Sequence, residues 1–205
     1  MPENILDRFR PQVAQWFRDV FAAPTAVQAQ AWEKISRGEH ALVVAPTGSG
    51  KTLAAFLWAL NNLVEREGQL ALPVGPGASG SAAGVKVLYI SPLKALGVDV
   101  ENNLRAPLTG IARTAENLGL DVPDISVGVR SGDTPSAERA RQVRKPPDIL
   151  ITTPESAYLM LTSKAAGILK TVDTVIIDEI HALAGTKRGV HLALTLERLQ
   201  QVAGD

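Results

Sequence analysis

The chain has no cysteine, which excludes a disulfide scaffold and every metal site built on thiolates. It also has no net charge, because 21 Lys and Arg balance 21 Asp and Glu, so evidence for nucleic-acid binding has to come from local residues. No apolar run approaches the roughly 18 residues of a membrane helix, and the charged start MPENILDRFR lacks the apolar stretch of a secretion signal. These absences predict a cytoplasmic protein without a membrane partner.

Short apolar runs alternate along the 205 residues with stretches whose apolar residues recur at helical spacing. Most of the runs are apolar almost throughout, as in strands that are buried on both faces of a sheet. The alternation predicts an α/β fold with a parallel sheet flanked by helices. The predicted strands are Ala41–Ala45, Val85–Ile90, Ile125–Val129, Asp148–Ile151 and Thr174–Asp178. The predicted helices are Thr52–Glu67, Val98–Leu118, Ser136–Arg144, Pro154–Thr162 and Val190–Val202.

Two segments stand outside this alternation. An amphipathic helical leader, Leu6–Phe21 and then Ala26–Ile35, precedes the first strand within residues 1–38. Residues 68–84 are rich in Gly, Pro, Ala and Ser and carry no charge, which predicts a flexible surface insertion. The length suits one domain over residues 1–205. The sequence stops just after a predicted helix, so we expect a fold that is incomplete at its C-terminal end and a longer parent protein.

The segment Ala45–Thr52, with the sequence APTGSGKT, follows a predicted buried strand and opens a predicted helix, which is the setting of a phosphate-binding loop. Gly48 and Gly50 permit backbone conformations that point N–H groups at phosphates, and the helix N-terminus adds partial positive charge. Lys51 has the reach to bind the β- and γ-phosphates, and Thr52 offers a hydroxyl ligand to Mg²⁺. The pattern therefore predicts that the chain binds a nucleoside triphosphate.

The last predicted strand ends in two acids, Asp178 and Glu179. A chain that hydrolyses a nucleotide needs a carboxylate that holds Mg²⁺ and a residue that positions the attacking water. Acids at the carboxyl end of a parallel strand suit both roles, because ligands bind at that edge of an open α/β sheet. We assign the metal to Asp178 and the water to Glu179. His181 and His191 are expected to hydrogen-bond or pack and not to hold a metal.

Six short patterns occur in the order that superfamily 2 helicases and translocases show. APTGSGKT resembles motif I, and DEIH resembles motif II. FAAPTAVQ, which ends at Gln28, looks like the Q-motif region, and ISPLKAL, which begins at Ile90, looks like motif Ia. GVRSGDT, over Gly128–Thr134, resembles the Gly-Asp-bearing loop that follows motif Ia, and ITTPE, over Ile151–Glu155, looks like motif Ib. Together these patterns look most like the large helicase-related (Lhr) proteins.

The resemblance implies a RecA-like P-loop ATPase domain, which is the first half of a motor of two such domains. Such a motor moves along single-stranded nucleic acid from 3′ to 5′, and we favour DNA over RNA. The implied cofactors are ATP and Mg²⁺, with Lys51, Asp178 and Glu179 as catalytic residues and with Thr52 and Asp178 as metal ligands. The residues that the resemblance assigns to ATP are Thr25, Gln28, Pro46, Thr47, Gly48, Ser49, Gly50, Lys51 and Thr52. Among these, Gln28 would read the adenine edge.

The resemblance also implies that the patterns between motifs I and II touch the nucleic-acid backbone, through hydroxyl and cationic groups near strand ends. The residues assigned to this contact are Ser91, Pro92, Lys94, Arg130, Thr134, Thr152, Thr153 and Pro154. Residues 130–145 carry five basic and two acidic side chains, a local excess of positive charge. We interpret Arg139, Arg141 and Arg144 as one solvated helix face, and Lys187 and Arg188 would extend the basic track.

Two parts of the family's motor are missing from these 205 residues. They are motif III and the second RecA-like domain, whose arginines complete the ATP site. An arginine supplied from outside changes the rate by roughly 10³–10⁵-fold in related systems. We therefore expect this chain alone to bind Mg-ATP weakly, to hydrolyse it very slowly and not to unwind a duplex. The second motor domain and further C-terminal domains of the parent protein would be its partners.

Other functions stay open at this point. Contacts with the backbone suit RNA or a DNA–RNA hybrid as well as DNA, because only groups that probe the 2′-position separate the polymers. A nucleotide-binding module that never hydrolyses ATP would not need Glu179. A small-molecule kinase with the same loop would leave the patterns at residues 90–155 unexplained.

Overall fold

The fold is built around one parallel sheet. The structure, a computed structural model, describes residues 4–46, 48–70, 83–92 and 94–204. Within these ranges the strands are β1 (Val87–Ile90), β2 (Val127–Arg130), β3 (Ile149–Thr152) and β4 (Thr174–Ile177). Their order across the sheet is β2-β3-β1-β4, and every pairing is parallel. The predicted α/β fold with a parallel sheet is therefore confirmed.

Seven α-helices are described, and most lie within a few residues of their predicted bounds. They are α1 (Pro11–Val20), α2 (Ala26–Ile35), α3 (Lys51–Leu70), α4 (Lys94–Asn117), α5 (Ser136–Arg144), α6 (Pro154–Leu161) and α7 (Lys187–Ala203). Short 3₁₀ helices occur at Ile5–Arg8, Lys164–Leu169 and Ile180–Ala182. No described helix is both long and apolar enough to cross a membrane.

The first predicted strand is wrong. Residues 41–46 form neither strand nor helix, and the side chains of Leu42 and Val44 are 75% and 83% exposed. A continuous apolar run indicates a preference for burial, but it does not supply the backbone partner that a strand needs. Of the predicted insertion at 68–84, residues 68–70 belong to α3 and residues 71–82 lie outside the described part of the chain.

The chain divides into two compact units. The first, here called the leader unit, consists of Met1–Val74 and Leu104–Asp124. The second, here called the sheet unit, consists of Gly75–Asn103 and Ile125–Asp205 and holds all four strands. The phosphate-loop pattern belongs to the leader unit, whereas the patterns from motif Ia to motif II belong to the sheet unit.

An aromatic cluster holds the leader unit together. Trp32 of α2 is fully buried, and its ring meets Phe9 and Phe17 edge to face, with centroid distances of 4.9 and 5.5 Å. The indole N–H donates to the Ala54 carbonyl of α3 at 2.8 Å. Because a buried indole N–H needs an acceptor, this bond fixes α2 against the first turns of α3. The residues just before α2 and just before α3 are the Q-motif region and the phosphate loop.

In the sheet unit the two central strands form the core. β1 and β3 are buried along their whole length, whereas β2 and β4, at the edges, are partly exposed. Leu88, Ile90 and Leu150 pack with Met160 of α6 and Leu192 of α7 in one apolar cluster. This packing fixes the carboxyl ends of the central strands, where the predicted functional residues lie.

Gly110 of α4 gives a test of packing against helix propensity. A Cβ atom on Gly110 would lie 2.0 Å from Nε1 of Trp16, a buried side chain of α1. Propensity alone favours Ala over Gly inside a helix by about 1 kcal/mol, but overpacking typically costs about 1–3 kcal/mol. We expect Gly110→Ala to lower the free energy of unfolding, measured by urea denaturation. Gly167→Ala, where a Cβ meets nothing within 4 Å, is the control, and a Gly110→Ala chain as stable as wild type would contradict the packing.

Candidate nucleotide and nucleic-acid site

The predicted phosphate loop leads directly into α3. Gly48 and Gly50 have φ values of +81° and +85°, a left-handed backbone conformation that glycine adopts without steric cost. The carbonyl of Gly50 accepts from the Ala54 N–H at 2.9 Å, so the helical hydrogen bonds begin at this residue. The 20-residue helix places its N-terminal partial positive charge at the loop. The φ values of Gly48 and Gly50 agree with the predicted loop, and its contact with phosphate stays a prediction.

The side chains of the loop fit an anionic ligand. The Lys51 ammonium donates to the carbonyls of Ala45 and Pro46, the latter at 2.8 Å. The Ser49 hydroxyl is buried and has no hydrogen-bond partner among the described residues. A buried hydroxyl without a partner is unfavourable, so a phosphate oxygen that accepts from it would satisfy the group. The Thr52 side chain is exposed, and Thr47 lies outside the described residues.

Thr25 and Gln28 brace this loop. They form a reciprocal capping box at the start of α2, in which Thr25 Oγ1 accepts from the Gln28 N–H at 3.2 Å and Gln28 Oε1 accepts from the Thr25 N–H at 2.9 Å. Thr25 Oγ1 also donates to the Ser49 carbonyl at 3.1 Å, and Gln28 Nε2 donates to the Gly50 carbonyl at 3.4 Å. Gln28 is 4% exposed. The structure thus joins both residues to the loop backbone, and the adenine contact of Gln28 stays a prediction.

The acid pair follows β4 at the carboxyl edge of the sheet. The Asp178 N–H donates to the Ile90 carbonyl of β1 at 3.0 Å, which extends the ladder by one residue. One carboxylate oxygen of Asp178 accepts from the Glu179 N–H at 2.9 Å, and the other accepts from the Tyr89 hydroxyl. Two protein donors therefore fix the carboxylate, and its remaining lone pairs suit a hydrated Mg²⁺.

Glu179 has an unusual backbone. Its φ of +48° makes it the one non-glycine residue with a left-handed conformation in the described ranges. Such a conformation is unfavourable for a side chain with a Cβ and clusters at functional sites. The Glu179 carboxylate lies 3.3 Å from Nε2 of His181 and is partly exposed. An acid in this position fits the role of orienting water.

Tyr89 was not identified from the sequence. The side chain is 1% exposed and lies in the middle of the apolar strand β1. Burial, and then the hydrogen bond and the negative charge of Asp178, raise the pKa of Tyr89 well above its ordinary value. A tyrosine hydroxyl is already protonated at neutral pH, and the raised pKa keeps this donor protonated at more alkaline pH as well. The sequence did contain one signal for this residue, namely a tyrosine inside an otherwise aliphatic strand.

The residues predicted to contact nucleic acid lie at the same sheet edge, but most of their polar groups bind the protein itself. Ser91 is buried, and its N–H donates to the Thr152 carbonyl at 3.0 Å. The Thr152 hydroxyl, also buried, donates to the Arg130 carbonyl at 2.7 Å. The carbonyl of Pro92 accepts from Arg188. These groups connect the ends of β2, β3 and β1, and their contact with nucleic acid stays a prediction.

The neighbouring predicted residues organise the loops. Thr134 Oγ1 accepts from the Ser131 N–H at 2.9 Å and closes the turn after β2. Thr153 caps α6, where its hydroxyl accepts from the Ser156 N–H, and Pro154 occupies the first turn of that helix. The side chain of Lys94 lies outside the described part of the chain. The hydroxyl groups therefore fix the shape of this edge.

The interpretation of Arg139 as part of a solvated face is wrong. Its guanidinium turns back over the loop before α5 and donates to the carbonyls of Ser131 and Gly132 at 3.1 and 2.7 Å, while its Nε is buried without a partner in the described residues. Burial and the nearby charge of Arg139 lower the pKa of Arg130, whose Nη1 donates to the Arg139 carbonyl. Side chains on a helix lean towards its N-terminal turn. Helical periodicity indicates which face a residue occupies but not this direction, so it did not predict that Arg139 reaches the loop before α5. Arg141 pairs with Glu138 in solvent, as that interpretation expects.

Arg188, at the start of α7, connects three of the motifs. It donates to the Pro92 carbonyl at 3.0 Å and to a carboxylate oxygen of Glu155 at 2.7 Å. The first contact reaches motif Ia and the second reaches motif Ib, while α7 itself follows the acid pair. The hydrogen bond from Arg188 lowers the pKa of Glu155. Glu155 and Pro92 lie 33 and 96 positions before Arg188 in the sequence. Spacing along the chain could therefore not reveal these two contacts.

Residues 25–204 match the DEAD/DEAH box helicase family. The chain belongs to this family. The match extends from the Thr25 cap to the end of α7, so this helicase domain includes the phosphate loop, the acid pair and the edge of the sheet between them. The predicted membership of superfamily 2 is confirmed.

The helicase domain is similar to Lhr proteins. It is 58% identical over 197 residues to the Lhr helicase/probable uracil glycosylase of Mycolicibacterium smegmatis and 54% identical over 199 residues to the Lhr helicase/uracil glycosylase of Escherichia coli. These matches cover 96% and 97% of this chain but only 12% and 13% of the two relatives. The solved M. smegmatis helicase Lhr bound to ssDNA and AMP-PNP matches 98% of this chain and 24% of its own, with 57% identity and a TM-score of 0.86.

The brace at Thr25 predicts an effect on nucleotide binding by this helicase domain. Thr25→Val removes the hydroxyl that caps α2 and donates to Ser49. We expect the chain to lose about 1 kcal/mol of stability and to bind a fluorescent mant-nucleotide roughly 5-fold more weakly, the equivalent of one hydrogen bond. Ser163→Ala, which removes the cap of the 3₁₀ helix at Lys164–Leu169, is the control. Equal nucleotide affinity in the Thr25 and Ser163 variants would count against the brace.

The Arg188–Glu155 pair predicts a pH-dependent stability. The folded pKa of Glu155 is depressed, so its contribution is present above the unfolded value of about 4.3 and is lost as the pH falls through the folded value. Both side chains are about half exposed, so solvent screening limits the effect to below ~1 kcal/mol. We expect Arg188→Gln to lower the urea midpoint at pH 7 and to lower it less as the pH falls through the folded pKa of Glu155, because only the bond to the Pro92 carbonyl is then left to lose. In a double-mutant cycle with Glu155→Gln, additive losses at pH 7 would refute the coupling.

Proposed function

We propose that this chain is the ATP-binding and ATP-hydrolysing half of a helicase that translocates along single-stranded DNA, of Lhr type. The observation that carries the proposal is the pairing of β1 with both β3 and β4. Because the strands are parallel, their carboxyl ends meet at one edge. Asp178 and Glu179 therefore lie on the edge that also carries motifs Ia and Ib. The residues proposed for ATP hydrolysis and those proposed to bind single-stranded DNA thus occupy adjoining loops.

The substrate would be ATP, bound by the phosphate loop. Lys51 would exchange the carbonyls of Ala45 and Pro46 for phosphate oxygens, and the Ser49 hydroxyl would donate to a phosphate. The N–H groups that follow Gly48 and Gly50 would donate to the same anion. This part of the domain binds and orients the triphosphate, and it places no nucleophile of its own in the reaction.

Mg²⁺, when bound, neutralises the negative charge that develops on the β- and γ-phosphates. The Asp178 carboxylate, which keeps free lone pairs, fits this ion by its chemistry. The hydroxyl of Thr52, which is exposed in the leader unit, would be a second ligand. Glu179 would orient a water molecule for in-line attack on the γ-phosphate and accept its proton. The backbone N–H of Glu179 also donates to the Asp178 carboxylate, which helps to hold that side chain in place.

The similarity to the M. smegmatis Lhr helicase bound to ssDNA and AMP-PNP favours ATP and single-stranded DNA as ligands of this chain. Since the chain spans about an eighth of its bacterial relatives, translocation from 3′ to 5′ is proposed for the parent protein. The partner would be a second RecA-like domain that supplies the missing arginine, an effect of roughly 10³–10⁵-fold on the rate. Closure of the two domains around ATP would then change their grip on the strand.

Glu179→Gln separates hydrolysis from binding. We expect the variant to bind ATP as wild type does and to hydrolyse it at least ~10²-fold more slowly, because general-base catalysis contributes about 10²–10⁴-fold. Hydrolysis is measured with the chain joined to its second motor domain, alone, with single-stranded DNA and with RNA of equal length. Glu197→Gln, an exposed residue of α7, is the matched control. If only RNA stimulated ATP hydrolysis, RNA would replace DNA as the proposed substrate. If the chain bound ATP but neither polymer stimulated hydrolysis, the chain would be a nucleotide-binding module and not part of a motor.

A further inference from the structure

Tyr89 combines burial with a hydroxyl group that binds Asp178, the first residue of the acid pair. It is one of two tyrosines in the chain and lies on the central strand β1, where it is in register with Ile151 of β3 and Ile176 of β4. The side chain is 1% exposed. Its hydroxyl donates to Asp178, which lies 89 residues further along the chain. The bond therefore crosses from the middle of the sheet to the acid pair.

Packing alone does not account for the hydroxyl. The other residues of β1 are Val87, Leu88 and Ile90, all fully buried and apolar. An apolar side chain at position 89 would fill the same layer without the cost of removing a hydroxyl from water. A buried hydroxyl is retained at little cost only if it is hydrogen-bonded. The Asp178 carboxylate satisfies the group.

The hydrogen bond acts on the orientation of Asp178. The Glu179 N–H holds one carboxylate oxygen at 2.9 Å, and the Tyr89 hydroxyl holds the other. Two donors on different elements leave the carboxylate little freedom to rotate about its side-chain bonds. Side chains that hydrogen-bond to a metal ligand orient it and tune its affinity.

We propose that Tyr89 is a positioning residue of the Mg²⁺ site, which holds the Asp178 carboxylate in the orientation that binds the hydrated ion. This inference rests on the proposed function, because it assigns Asp178 to the metal. Tyr89 itself touches neither the metal nor the nucleotide. It acts through Asp178, and it links the strand that precedes motif Ia to motif II.

The test separates metal binding from nucleotide binding. Mant-ADP is bound to the chain with Mg²⁺ titrated from zero, and its binding is also measured in EDTA. We expect Tyr89→Phe to raise the Mg²⁺ concentration at half-saturation by roughly 10-fold, the lower end of the loss seen when a partner of a metal ligand is removed. Binding in EDTA should not change. A merely structural role would weaken both.

Tyr158→Phe is the matched control, because Tyr158 is the other tyrosine and its ring packs against His191 and Arg198 on α7. It should leave the Mg²⁺ titration unchanged. If a folded Tyr89→Phe chain reached half-saturation at the same Mg²⁺ concentration as the wild-type chain, the inference would be overturned. Failure of the wild-type chain and of Tyr158→Phe to bind Mg-nucleotide would instead overturn the proposed function.

A second measurement, by NMR spectroscopy, does not require the Tyr89→Phe variant to fold. Labelling with ¹³Cζ-tyrosine gives two signals, which Tyr158→Phe assigns. We expect the Tyr89 signal to shift in Asp178→Asn and on addition of Mg-ADP to the wild-type chain, while the Tyr158 signal stays in place. A Tyr89 signal that responds to neither change would overturn the inference whatever the stability of the phenylalanine variant.

Discussion

The parallel pairing of β1 with a strand on each side is the constraint on which the sheet unit depends. It places the residues that follow β3, β1 and β4 side by side, although they are far apart in the sequence. The ladder continues past β4 through the bond from Asp178 to Ile90, so the first acid is held almost as firmly as a strand residue. The patterns that we assign to nucleic acid and to the metal thereby share one rigid support.

The loops at this edge, and the phosphate loop in the leader unit, are held by side chains that bind backbone. Thr25 donates to Ser49, Thr152 donates to Arg130, and Arg139 donates to the turn after β2. Polar groups that a motif pattern assigns to ligands thus have structural partners in the protein. A loop shaped in this way presents its remaining N–H groups in a fixed direction, which reduces the entropy lost when a ligand binds.

The local parts of this architecture could be predicted from the sequence, because they depend on neighbouring residues. The bounds of α2 and α5, the left-handed backbone of Gly48 and Gly50, and the position of the acids directly after β4 agree with expectation. The errors and omissions involve partners that the sequence does not name. The apolar run at 41–45 makes no strand, and the bonds of Tyr89 and Arg188 join residues dozens of positions apart. For Arg139 the helix position was right, but the direction of its side chain was not considered.

The left-handed backbone of Glu179 sets conformational energy against side-chain chemistry. At a φ of +48°, glycine or asparagine is the residue with the lower conformational energy, by about 1–2 kcal/mol for glycine. A population selected for thermal stability alone would drift towards those residues and lose the acid. A glutamate at this position therefore costs the fold stability, and the proposed role of its carboxylate in orienting water accounts for that cost, because neither glycine nor asparagine could accept the proton.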